Sequence, residues 1–383
     1  MKFMIHRRDC YPLAQRSTIT NVQHLSSYSW IEAPLGTPTI AVPGTPPRWT
    51  PPGPEQQPQL HPDHGLIIID HNAYRHPKSP MEPLFRALYE SDPTFDIRQI
   101  DIVTDASNLC KLLHYLDYSG PSANFLHKPF TIHAEVAGES SNTVILSQVE
   151  PETHEIVQPG HSIDYTNEFK KTYTVNEIAR STGHYRIVRY SFGGLNYVVR
   201  YEADAYIPNP GIQSDTNGLQ SHEPFASVNS SSDSHSLASG STSTSTSTST
   251  LEIRNQGRQV PTDSILEIRV RSSGSVALLD EFGPRHWVSR SPNYLDARLS
   301  DGLIQEHYIE NAVTIAAFWS GRNKTKVKQL AALMEKVVQL VKGSGGRYVI
   351  TCHSLELKEL VVEKVEEGEA MLPSDLYSKW NRA

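Results

Sequence analysis

Two short stretches place acids at a spacing that could hold a metal ion. In YEADAY (201–206), Glu202 and Asp204 stand two residues apart; in ILEIRVR (265–271), Glu267, Arg269 and Arg271 alternate with Leu266, Ile268 and Val270. On an extended strand that spacing puts Glu202 and Asp204 on one face, and likewise Glu267, Arg269 and Arg271. If the two strands pair, three carboxylates converge. Such a cluster is costly unless it is protonated, ion-paired or metal-bound. Mg²⁺ or Mn²⁺ suits oxygen ligands. Beside a phosphodiester, such an ion makes a bound water more acidic and stabilises charge on the scissile phosphate. Glu202, Asp204, Glu267 and Arg269 are thus the candidate catalytic residues, with Arg269 orienting the phosphate. The competing reading is a water-facing sheet edge, with Glu267 merely salt-bridged to Arg200, Arg269 or Arg271.

The elements that must position these residues follow from pattern. HYRIVRYSFGG and LNYVVRYEADAYIP read as strands rich in aromatic and β-branched residues. TIHAEVAG and NTVILSQVE read as a hairpin pair, LEIRNQGRQVPTDSILEIRVRS as strand, turn, strand, and SVALLDEF as a further strand edge. LIII (66–69) reads as a short buried strand, and YTVNEIARSTG as a short helix. SPMEPLFRALYESDP and the segment after IRQIDIVTDASN read as amphipathic helices. TKVKQLAALMEKVVQLVKGSGG has the strongest helical period, with Val327, Leu330, Leu333, Met334, Val337, Val338 and Val341 on one stripe and glycines at its end. RYVITCHS and KELVVEKVEEG read as two closing strands.

Around this lie two segments expected to lack regular structure. Residues 1–64 read as a flexible arm, Pro-rich over 31–64, with a proline-motif docking site for a protein partner as an option. Residues 212–250 end in SGSTSTSTSTST, which has no apolar face to bury, and read as a disordered loop within a single domain spanning 65–383.

The chain has 383 residues, 38% hydrophobic and 20% charged, enough for a sizeable core. A net charge of -7 excludes a uniformly basic nucleic-acid binder but allows one local basic groove. Arg186, Arg189, Arg200, Arg271, Arg285 and Arg290 could frame such a groove, with Arg189, Arg200 and Arg271 as substrate-binding candidates and Tyr190, Tyr201 and Trp287 as stacking platforms for bases. The bland alternative is solvated arginines and core aromatics. The three cysteines lack metal or disulfide spacing, which fits a reducing compartment, nuclear or cytoplasmic; a weak, acid-poor start leaves mitochondria open. No apolar run suggests a membrane span. VKGSGG lacks the phosphate-loop spacing, and no DDxxD or HExxH is present.

The acidic pair resembles the Glu-hydrophobic-Asp and Glu-hydrophobic-Lys motifs of the decapping exoribonucleases of the Rai and DXO types, themselves similar to the PD-(D/E)xK nuclease fold. The run FGGLNYVVRYEADAY, then GRQVPTDSILEIRVRS, then GGRYVI, is similar to a group of fungal proteins, over roughly 65–383. The resemblance implies an α/β (α+β) fold with a central mixed sheet flanked by helices. It implies metal-dependent hydrolysis of phosphodiester bonds in RNA or capped RNA ends, with Glu202, Asp204 and Glu267 as ligands of Mg²⁺ or Mn²⁺ and the Ile268 carbonyl nearby. Arg269 stands where the family has lysine: it keeps the charge but cannot accept a proton. The family's preceding helical glutamate falls on Glu168, although Gly160 and Glu168 do not keep the usual spacing. Aligned on FKKTYT instead, Lys170 takes the acid's place, and Glu177 is a fallback. Two altered motifs give the alternative: a catalytically inactive nuclease-fold protein acting as a structural or binding subunit of a complex.

Overall fold

The computed structural model describes residues 1–11, 17–33, 36–53, 58–116, 129–138, 141–208, 249–275, 279–354, 358–365 and 370–381. In chain order its strands are β1 (Lys2–His6), β2 (Thr20–Ile31), β3 (Thr39–Gly44), β4 (Arg48–Trp49), β5 (Gly65–Ile68), β6 (Ile102–Asp105), β7 (Phe130–Val136), β8 (Val144–Val149), β9 (His154–Val157), β10 (Thr174–Val175), β11 (Ser181–Phe192), β12 (Leu195–Glu202), β13 (Ala205–Tyr206), β14 (Glu252–Gly257), β15 (Ile265–Ser272), β16 (Asn293–Ser300), β17 (Leu303–Asn311), β18 (Arg347–Cys352) and β19 (Glu359–Val365). Its helices are α1 (His71–Arg75), α2 (Glu82–Ser91), α3 (Ala106–Leu116), α4 (Thr166–Tyr173), α5 (Leu279–Ser289), α6 (Ala312–Arg322), α7 (Lys324–Ser344) and α8 (Ser374–Tyr377).

The expected α+β architecture is present: a large mixed sheet flanked by helices. Eleven strands run in the order β1-β19-β18-β7-β8-β6-β12-β11-β2-β3-β14, and a second sheet runs β10-β4-β13-β15-β16-β17. One face of the large sheet packs Tyr197, Val199, Leu146 and Ile132 against Leu109, Leu112, Leu330 and Val337 of α3 and α7. The other face packs Val198, Ile187 and Ile145 against Leu84, Phe85 and Leu88 of α2, closed by Trp380. The second sheet has its own core, where Leu266, Ile268 and Leu295 meet Phe169 and Tyr173 of α4 and Trp49. Burial of these apolar stripes, each large side chain worth about 1.5–3 kcal/mol, fixes where the helices lie on the sheets. β7 and β8 form the antiparallel hairpin read from sequence, and the strands β11, β12, β18 and β19 expected there pair antiparallel as β11–β12 and β18–β19. In β11–β12, Gly193 and Gly194 take positive φ at the turn.

Several expectations are corrected. The N-terminal segment is built into both sheets: β1 pairs β19, β2 lies between β11 and β3, and β4 pairs β10 and β13. Its prolines masked the run SSYSWI, whose residues are buried at nearly every position and so show no alternation. YTVNEIARSTG supplies β10 and the start of β11 rather than a helix. The end of SVALLDEF begins α5 rather than a strand. β5 is a partly exposed strand paired with β9, not a buried one. The Ser/Thr-rich loop lies, through residue 248, outside the described residues. Among the described residues no helix is long and apolar enough to cross a membrane.

Candidate functional site

The two acidic stretches meet, but by a different route from a simple strand pair. Glu202 is the last residue of β12 in the large sheet, facing Tyr185. The chain then crosses over at Ala203 and Asp204, and β13 enters the second sheet, where Ala205 pairs with Leu266 and Tyr206 with Ile265 of β15. YEADAY therefore spans two sheets, and Asp204 and Glu267 sit at the junction between them.

Each of these two acids is held by a cation. Asp204, with its side chain 3% exposed, accepts from Lys170 Nζ at 2.6 Å and from the Ile268 backbone N–H at 2.8 Å. Burial pushes its carboxyl upward, but the charges of Lys170 and Arg285 and the Ile268 hydrogen bond hold it below the usual carboxylate value. Burial pulls the Lys170 ammonium down, and Asp204 and Glu202 lift it above the ordinary lysine value. Glu267 is buried; its Oε2 accepts from Arg285 Nε at 2.7 Å and its Oε1 from Ser289 Oγ at 2.7 Å. Glu267 first, then Asp204 and Glu202, hold Arg285 charged against burial. His286 stands 3.6 Å from Glu267, with burial keeping it toward the neutral form.

The elements explain this geometry. α4 is anchored by Asp63, which accepts from the backbone N–H groups of Asn167 and Glu168, and by burial of Phe169 and Tyr173. That seats Lys170 against Asp204. Glu168, the expected metal ligand, stays partly exposed beside Lys171 at 3.8 Å and does not join the acids. Glu177, the fallback, accepts from Tyr206 Oη at 2.5 Å and pairs with Arg258. α5 carries Arg285, His286 and Ser289 to Glu267. It packs through Gly283, where a Cβ would stand 2.5 Å from the Trp319 ring.

The arginines take structural partners. Arg269 pairs with Glu281 and lies over the Phe282 ring. Arg271 is bidentate on Asp296 at 2.7 and 2.5 Å. Arg200, fully buried, is bidentate on Asp105 at 2.6 and 3.0 Å and also donates to Pro80 O at 2.8 Å. Arg189 is half-buried on β11 opposite Val198, well back from the strand end that bears Glu202. Tyr190, Tyr201 and Trp287 are core residues, so none offers a free face to a base. The Ile268 group aimed at the acids is its N–H rather than its carbonyl.

Beside the junction opens a cavity of about 410 Å³, lined by Asp70, Asp105, Lys111, Arg200, Glu202 and Arg285 among others. Lys111 pairs with Glu150 at 2.5 Å, and Asp70 caps α1 and accepts from Gln148 at 2.5 Å. Glu202 makes no hydrogen bond or ion pair among the described residues. Arg285, its side chain 51% exposed, is the open cation of the wall. Asp70, Lys111 and Gln148 were not singled out from sequence; Asp105, a candidate helix cap there, ends β6 just before α3, and Asp70 is the N-cap of α1.

This donor set does not fit a resident Mg²⁺ or Mn²⁺. Both oxygens of Asp204 and both of Glu267 already accept strong hydrogen bonds, and the donors include two cations. Among the described residues no group of three His, Cys, Asp or Glu side chains is arranged to hold a metal.

The chain has the fold of solved Rai1 and Dxo1 structures. The chain is similar to Schizosaccharomyces pombe Rai1 in complex with 3'-FADP (9% identity, TM-score 0.56, 95% of this chain and 100% of that one). It is similar to Candida albicans Rai1 in complex with pU5-Mn²⁺ (9% identity, TM-score 0.56, 99% and 98%). It is also similar to K. lactis Dxo1 in complex with manganese (10% identity, TM-score 0.53, 96% and 98%). A search of curated protein sequences gave no match. The chain belongs to the family described as Domain of unknown function (DUF8563), whose model matches residues 13–380.

Proposed function

We propose that this protein binds a phosphorylated RNA end in the cavity beside the junction, without metal-dependent cleavage. One observation carries the reading: Lys170 and Arg285 neutralise Asp204 and Glu267 where a divalent ion would otherwise be needed. Arg285 would meet the phosphate, since a half-exposed guanidinium on the cavity wall attracts anions. Polar residues of the wall such as Ser107 and Gln148 would meet the sugar hydroxyls. The pU5 and 3'-FADP in complex with the Rai1 structures support a nucleotide-type ligand. The test is fluorescence anisotropy with 5'-phosphorylated single-stranded RNA in EDTA, with the same RNA followed on a gel in Mn²⁺. Saturable binding in EDTA and intact RNA in Mn²⁺ are expected; Mn²⁺-dependent product that is lost in Glu267→Gln would overturn the reading.

Metal-dependent hydrolysis of RNA or capped ends is the second reading. The unpartnered Glu202 on the cavity wall favours it, because it is the one acid of the three with its oxygens unclaimed.

A further inference from the structure

Three carboxylates and two cations leave one net negative charge at the junction: Glu202, Asp204 and Glu267 against Lys170 and Arg285. The two cations are not equivalent. Arg285 reaches in from α5 and is half exposed, free to swing toward a ligand. Lys170 comes from α4, whose position is set by the Asp63 cap and by Phe169 and Tyr173 in the core, and its ammonium lies 2.6 Å from Asp204. The backbone thus delivers the side chain at position 170 to Asp204, whatever that side chain is. An acid there would set an oxygen ligand beside Asp204; an ammonium there repels any dication.

Resting on the metal-free reading above, we propose that Lys170 is a built-in counter-cation that bars divalent metal from the Asp204 side of the junction, and that an acid in its place would let a divalent ion bind there. Replacing it with glutamate adds a ligand and removes the competing charge in one step.

The experiment titrates Mn²⁺ into the full-length wild type, Lys170→Gln and Lys170→Glu, followed by calorimetry and by thermal melting. The wild type is expected to show no saturable Mn²⁺ binding and no melting shift. Lys170→Glu should melt below the wild type in EDTA, because carboxylates then crowd Asp204, and Mn²⁺ should restore it, with affinity at least about tenfold above Lys170→Gln. A folded Lys170→Glu that binds Mn²⁺ no better than Lys170→Gln overturns the proposal. If Lys170→Glu does not fold, Lys170→Gln alone is compared with the wild type. Removing that one positive charge should raise Mn²⁺ affinity at least about tenfold over wild type, and no rise overturns the proposal. The two levels separate cleanly. Tight Mn²⁺ binding by the wild type sinks the metal-free reading and this inference together. RNA binding by the wild type in EDTA with no metal gain in the variants sinks this inference alone.

Discussion

Replacing Arg285 with methionine keeps the helical stem and removes the guanidinium from Glu267. The carboxylate of Glu267 is then left with the Ser289 hydroxyl as its one hydrogen-bond donor, at 2.7 Å, in a site where its side chain is 4% exposed. Stripping a buried ion of its partner costs about 3–5 kcal/mol when the pair is fully enclosed. Arg285 itself is half exposed, so water screens the pair and part of the loss is recovered by hydration. The expected destabilisation is therefore about 2–3 kcal/mol, below the enclosed limit. Glu267→Gln should cost less, about 1–2 kcal/mol, because the amide oxygen still accepts from Ser289 or Arg285 and the freed guanidinium faces the cavity. The double variant should cost less than the sum of the two, with a coupling of about 1–2 kcal/mol. Urea denaturation followed by tryptophan fluorescence measures all three. An Arg285→Met protein within about 0.5 kcal/mol of wild type, with unchanged m-value, would refute the claim that Glu267 is an ion held by Arg285.

The Lys170–Asp204 pair carries a pH signature. Asp204 has its carboxyl held below 3.8, so its contribution is fully present above that pH and is lost as pH falls through the lower folded value. Lys170 is raised above 10.5, so its contribution is fully present below that pH and is lost as pH rises through the higher folded value. Lys170→Met should flatten the alkaline limb of melting temperature against pH, and an unchanged limb would contradict the pair. Glu202→Gln removes a charge that makes no hydrogen bond or ion pair among the described residues, so stability should stay within about 0.5 kcal/mol, while phosphorylated RNA binds more tightly. Weaker RNA binding in that variant would show that Glu202 accepts from the ligand more than it repels it. Gly283→Ala forces a Cβ into the Trp319 ring at 2.5 Å and should cost about 1–3 kcal/mol while displacing Arg285 on the same helix. Circular dichroism melts and RNA anisotropy would report both effects, and a neutral substitution would mean α5 is not seated as described.

Much of the architecture was legible because its segments keep a clean period. The stripe of α7 shows in the sequence as a helical period, and β7, β8, β11, β12, β18 and β19 as runs of β-branched and aromatic residues, the central ones buried on both faces. The acids Glu202, Asp204 and Glu267 were also visible as residue types at a spacing, while Lys170 stood out only through the family resemblance, in an acid's place. Their relationship was not. The crossing at Ala203–Asp204 moves the chain between sheets within what reads as one continuous strand, and nothing local marks it. α5 was hidden by Gly283 and Pro284, which look like a break. Its glycine is there for the close approach of Trp319, and with the helix the partner of Glu267 was missed. The N-terminal strands were hidden by their prolines and by burial on both sides, which erases alternation.

A crystal of the wild-type protein soaked in Mn²⁺ and measured at the manganese absorption edge tests the central claim most directly. The expected map has no anomalous peak between Asp204 and Glu267, with Lys170 Nζ still about 2.6 Å from Asp204 and Arg285 on Glu267. An anomalous peak at coordination distance from both carboxylates, with Lys170 and Arg285 turned away, would contradict it.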